Sequence, residues 1–153
     1  MGRRLPAILG LCAIAVAAAV GSGCGEGGAA AGATVRVYVA TPLCREARRE
    51  LQSAGGKAGD LRVSAICLPS TESGGHVDLA QTGANARRAT EDSTSVAYLE
   101  SSGPGAKFSQ PIVESATLAW LETDSGTTAM RRVLKALSEA GSSSPRDAVR
   151  ESL

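Results

Sequence analysis

From Thr34 onward, short apolar segments alternate with stretches of helical spacing, and this alternation restricts the fold more than any other feature of the chain. Thr34 to Ala40 (Thr-Val-Arg-Val-Tyr-Val-Ala) sets valines at every second position, which predicts a strand. Thr41 and Pro42 then have the form of a helix start, a cap followed by proline at the first helical position. Leu43, Ala47 and Leu51 recur four apart until Gly55-Gly56 stops the helix. Leu61 to Leu68 predicts a second strand and Pro69 to Gly75 a turn-rich loop. Val77 to Ala89 predicts a helix with Val77, Leu79, Ala80, Ala84 and Ala89 inward and Arg87 and Arg88 outward. A third strand over Ser95 to Leu99 leads into a Ser/Gly/Pro loop from Glu100 to Gly105, a helix over Ala106 to Ala116 and a fourth strand over Thr117 to Leu121. After Glu122 to Gly126, a helix from Thr128 to Ala140 carries the stripe Met130, Val133, Leu134 and Leu137. Ser144-Pro145 opens a last helix anchored by Val149 and Leu153.

Strands this short and apolar must be covered on both faces. The expected fold is therefore α/β: a doubly wound, mostly parallel four-stranded sheet flanked by helices, in the flavodoxin-like order 2-1-3-4. A chain of 153 residues suits one such domain. Its 43% hydrophobic and 20% charged residues exclude disorder throughout. There are 16 basic and 15 acidic side chains; without Arg3 and Arg4 the balance is 14 to 15. A near-neutral chain with 3% aromatic residues lacks the basic footprint and stacking platforms of a nucleic-acid binder.

Ahead of the domain, Arg3-Arg4 precede an apolar run from Ala7 to Val20 and then Gly21-Ser22-Gly23-Cys24. The run is shorter than the roughly 20 residues of a membrane span, and its flanks are those of a secretory signal. Val20 to Cys24 resembles a bacterial lipobox, with Gly21 where leucine is usual. That resemblance implies a lipoprotein signal peptide over residues 1–23 and lipidation of Cys24. The protein would then be exported and held on the outer face of the cell membrane, or in the periplasm. Residues 24–33, rich in Gly and Ala, read as a flexible tether to a single domain over 34–153.

Cys12 lies in the apolar run, which leaves Cys44 and Cys67 in the domain. They are either a disulfide or two buried thiols, and export favours the disulfide. Cys44 follows the first strand and Cys67 ends the second. Neighbouring parallel strands would bring their Cα atoms within the roughly 7 Å that a bridge requires. With no Cys-x-x-Cys and a single histidine, His76, no metal site and no cofactor is expected.

In doubly wound sheets, ligands bind beyond the carboxyl ends of the strands, where strand order reverses. The loops reaching that edge include Ser101, Ser102 and Gly103 on one side and Thr123, Asp124 and Ser125 on the other. Ser101 to Gly103 precede a helix N-terminus, which suits a carboxylate, although serines there more commonly cap the helix. Glu100 and Glu122, expected on neighbouring strand ends, could act as a carboxylate pair, but solvated loop acids are the commoner case. No nucleophile, metal or phosphate-binding motif accompanies them, and His76 lies in a Ser/Gly-rich loop, so the chain is expected to be non-catalytic.

Gly83-Ala84-Asn85-Ala86-Arg87-Arg88-Ala89-Thr90-Glu91-Asp92, then Val96-Ala97-Tyr98-Leu99 and Pro111-Ile112-Val113-Glu114-Ser115-Ala116, resemble type I periplasmic solute-binding proteins. The nearest branch is the leucine/isoleucine/valine-binding receptors of ABC importers. Ala129 to Leu137, Ala140-Gly141 and Arg146 to Leu153 are similar to a helical pair near the end of that family. Thr123 to Thr128 joins the two pieces directly, where the family places a second lobe. The resemblance thus implies one lobe of a two-lobed receptor, binding a small polar solute such as an amino acid for import or sensing, with an ABC permease as partner. The chain departs from the family at the registers of Gly103 and Glu122, where the family has hydroxyl residues that hold the ligand. The alternative is an interaction module or degenerate receptor fragment that pairs with itself or with a partner chain through the exposed cleft face.

Overall fold

Val35, Val37 and Val39 project from one side of the strand Thr34–Val39 (β1), and Tyr38 projects from the other. The computed structural model describes residues 31–141 and 143–153. The expected signal peptide, the expected lipidation site Cys24 and most of the expected tether lie outside these residues.

From β1 the chain runs through α1 (Thr41–Ser53), β2 (Lys57–Ala58), β3 (Leu61–Cys67), β4 (Glu72–Ser73), β5 (His76–Val77), α2 (Leu79–Glu91), β6 (Ser95–Ser101), α3 (Pro104–Ser115), β7 (Ala119–Thr123), α4 (Gly126–Glu139) and α5 (Pro145–Ser152). One sheet has the order β2-β3-β1-β6-β7. Its four longer strands are parallel and follow the expected 2-1-3-4 order. The count of four is corrected to five, because Lys57 and Ala58 fold back antiparallel on Arg62 and Leu61.

Period-2 alternation separates two cores. On one face, the strand valines, Ala97, Leu99 and Ala119 meet Leu43, Ala47 and Leu51 of α1, Met130, Val133 and Leu137 of α4, and Val149 of α5. On the other face, Tyr38, Tyr98 and Leu118 meet Ala86 and Ala89 of α2 and Val113 of α3. Strand register aligns Ile66, Tyr38, Tyr98 and Trp120 in one row across β3, β1, β6 and β7. Cys44 and Cys67 form a disulfide with a Cα separation of 5.6 Å, tying the first turn of α1 to the end of β3.

Several local expectations are corrected. The tether ends earlier than residue 33, since Gly32 N donates to Asp60 O and Ala33 O accepts from Arg62 N. Thr41 does not cap α1. It lies inside the helix, and its hydroxyl donates to Leu68 O. The Pro69 to Gly75 loop contributes to a two-stranded hairpin, β4 with β5. The carboxylate of Asp78 accepts from Gln81 N and starts α2 two residues later than expected. That start turns Thr82, Gly83, Asn85, Ala86 and Ala89 inward and leaves Leu79, Ala80 and Ala84 exposed. Small residues on this face let α3 approach closely: a Cβ on Gly83 would lie 3.3 Å from the Phe108 ring. β7 starts later than expected because Thr117, at φ 55°, and the bond from Leu118 N to Val113 O complete the end of α3.

Candidate functional site

β6 runs two residues further than the sequence suggests, so Glu100 and Ser101 belong to the strand and not to a loop. Glu100 therefore shares a face with Tyr98, one pleat beyond the aromatic row, and is only 3% exposed. This corrects the expectation of a solvated loop acid. Its Oε2 accepts from the Tyr98 hydroxyl and from Ser109 Oγ of α3, each at 3.1 Å, and its Oε1 accepts from Ser101 N at 3.1 Å. Trp120 Nε1 donates to Ser109 Oγ at 3.2 Å, which extends the network across β7. Burial raises the Glu100 carboxyl above the ordinary carboxylate range; the donors from Ser109, Tyr98 and Ser101 offset part of this, and nearby Glu122 adds to it. Burial, with Glu100 alongside, likewise raises the Tyr98 phenol far above its usual value.

Strand register places Glu122 directly beside Glu100 and Thr123 beside Ser101. The two predicted ligand loops thus meet at the carboxyl edge of β6 and β7. Glu122 is exposed, and its Oε1 accepts from Gly103 N at 3.4 Å. This contact bears on the anion expected at the start of α3. The start of α3 already faces a carboxylate of the chain itself, so a second carboxylate placed there would meet like charge. The capping role open to Ser101 and Ser102 is corrected: Gly103 is the N-cap, without a side-chain bond. Gly103 sits at φ 150°, a conformation that side-chain-bearing residues rarely adopt.

On the β7 side, Thr123 and Ser125 are committed to their own loop. Ser125 N donates to Thr123 Oγ1 at 3.1 Å, and Ser125 Oγ accepts from Thr128 N at 3.2 Å as the cap of α4. Gly126 N donates to Glu46 Oε2 of α1 at 3.1 Å, fixing where the loop ends. Asp124 is exposed. Among the described residues, the hydroxyls of Ser101 and Ser102 have no protein partner. The edge therefore offers two free hydroxyls and two exposed carboxylates, with a third carboxyl buried below. Such a set attracts a cationic or amine-bearing group. His76 is exposed in β5, and no cluster of three or more His, Cys, Asp and Glu side chains forms among the described residues.

The sequence reading missed the roles of Ser109, Trp120 and Asn85. Asn85 is 3% exposed; its Nδ2 donates to Pro69 O and its Oδ1 accepts from Gln81 Nε2, pinning the loop after β3 to α2. Hollows also lie away from the edge. One of about 410 Å³ lies by Ala33, Ser95 and Arg146, and one of about 540 Å³ lies beside α1. No helix of the described residues is long and apolar enough to cross a membrane. Compared with protein-family models, curated proteins and solved structures, the chain matches none.

Proposed function

We propose that the protein is an exported, lipid-anchored, non-catalytic lobe of the type I solute-binding kind, which takes a small amine-bearing polar solute at the carboxyl edge of β6 and β7. One observation carries this reading. Ser101 and Thr123 are register partners at that edge, where two unpartnered serine hydroxyls lie beside the exposed acids Glu122 and Asp124. The ammonium of the solute would face these acids, and Ser102 would donate to its polar end. An ABC permease is the partner that the family resemblance suggests. The strand order 2-1-3-4 and the alternation of helices agree with such a lobe.

A single lobe excludes little water from its ligand. A few exposed contacts give affinities of roughly millimolar to high micromolar. Titrating the full chain calorimetrically with amino acids and simple diamines tests this. Binding in that range should fall at least tenfold in Glu122→Gln combined with Ser102→Ala, both exposed positions. A sub-micromolar ligand indifferent to these changes would overturn the reading. Cys24→Ser should release the protein from the membrane fraction, and unchanged fractionation would count against the anchor. Leu79 and Phe108, 47% and 41% exposed, favour a second reading, self-pairing through α2 and α3. Concentration-dependent dimers without solute binding would select it.

A further inference from the structure

α1 divides its charges by side. Glu46 Oε2 accepts from Gly126 N, and Glu50 accepts from Arg131 Nε and Nη2 at 3.0 and 3.2 Å, so both acids of the helix are turned to α4 and engaged there. Arg45, Arg48 and Arg49 are exposed and have no acidic partner among the described residues. With Gln52, Cys67 and Leu68 they line the hollow of about 540 Å³.

That hollow reaches the end of β3 at Cys67, on a strand edge that is only half covered. Arg62 N donates to Ala33 O and Leu68 N to Val39 O, which shows that the even-numbered residues of β3 turn their backbone groups toward β1. Val63, Ala65 and Cys67 therefore turn theirs outward. Val63 N is met by Gly56 O, and β2 pairs only with Leu61 and Arg62. Nothing among the described residues pairs with the outward backbone of Ala65 and Cys67. Ala65 is 8% exposed and Cys67 more so, and an unpaired edge of this kind is a template for another strand.

We propose that this edge of β3 receives an acidic, extended segment of another protein as an added strand, with carboxylates at alternate positions meeting Arg45, Arg48 and Arg49. Arg48 and Arg49 stand three and four residues beyond Arg45, about 5–6 Å along one side of the helix, and their long side chains span the roughly 6.8 Å between two alternate carboxylates of a strand. A small anion or a flat lipid surface would satisfy the guanidinium groups but not the backbone of Ala65 and Cys67. Main-chain bonds supply affinity in strand addition, and the pattern of side chains supplies specificity. The proposal does not depend on the solute-binding reading.

Anisotropy titration of the full chain with a labelled, end-blocked octapeptide of alternating aspartate and valine tests it. Binding should weaken with added salt and fall at least tenfold in Arg48→Ser/Arg49→Ser, whose exposed positions leave the core untouched. N-methylating the peptide amides along one edge should cost at least tenfold, while methylating the other edge should cost little. Amide exchange at Ala65 and Cys67 should slow in the complex. Equal affinity for both methylated peptides, or for a lysine–valine peptide, would overturn the proposal. So would tighter binding to phosphatidylglycerol vesicles or to inorganic polyphosphate than to the octapeptide, or dimers of the chain itself that disappear in the double arginine variant.

Discussion

Gly126→Ala measures how closely α4 is seated on α1 beside the candidate site. A Cβ built on Gly126 would lie 2.3 Å from the Leu43 carbonyl oxygen, 3.0 Å from Ala47 N and 3.1 Å from Glu46 Cβ. Two of these atoms are backbone of α1, so neither can rotate away. Alanine would otherwise favour the helix by up to about 1 kcal/mol. Overpacking of this kind costs about 1–3 kcal/mol. Shifting α4 also strains the bond from Gly126 N to Glu46, and hydrogen bonds to charged groups are worth about 1.5–3 kcal/mol. A net loss of about 2 kcal/mol is expected. Gly105→Ala is the matched control, because its nearest neighbours, Thr82 Oγ1 and Val77 Cγ1, would lie 3.6 Å away, an ordinary contact. It should be neutral or stabilising by up to about 1 kcal/mol. Urea denaturation followed by Trp120 fluorescence gives both values from the midpoint at unchanged slope. If Gly126→Ala is as stable as the parent, or both variants lose equally, the close seating of α4 on α1 is refuted.

Removing the disulfide with Cys44→Ala/Cys67→Ala should cost about 3 kcal/mol, the chain-entropy value for a bridge between residues 23 apart; thiols that alkylate freely in native, unreduced protein would contradict it. Glu100→Gln should raise the melting temperature at pH 8 and change it little at pH 4. The native carboxyl binds its proton more tightly than the unfolded one, so the stabilisation it gives is complete below its ordinary value of 4.5 and is lost as pH rises through the raised native value. Melting curves at the two pH values check the sign, and a gap that widens toward acid would reverse it.

Strand and helix existence was legible from the pattern alone. Valines at 35, 37 and 39 can share a face only in a strand, and Met130, Val133, Leu134 and Leu137 only on a helix. That the four longer strands run parallel also followed, because helices between short apolar strands must cross over the sheet; the order 2-1-3-4 was expected by analogy with flavodoxin-like sheets. The pairing of Cys44 with Cys67 followed from that order. The same order brought Ser101 to Gly103 next to Thr123 to Ser125, so the adjacency of the two candidate loops was readable as well.

The character of the site was decided only by tertiary structure. Nothing local says whether Glu100 ends a strand or begins a loop. It is strand because β1 and β7 flank β6, because Tyr98 precedes it on the same face, and because Ser109 descends from α3 to meet it. The charge on Glu122 was visible in the sequence, but its position over the Gly103 N–H depends on the register of β6 with β7, and that contact is why the proposed solute carries an amine. The free arginine face of α1 arose the same way, when α4 engaged Glu46 and Glu50 and left Arg45, Arg48 and Arg49 unpaired. Periodicity sets which face of an element is apolar. Which polar group meets which across an interface depends on distances between residues remote in the chain, and no local pattern encodes those.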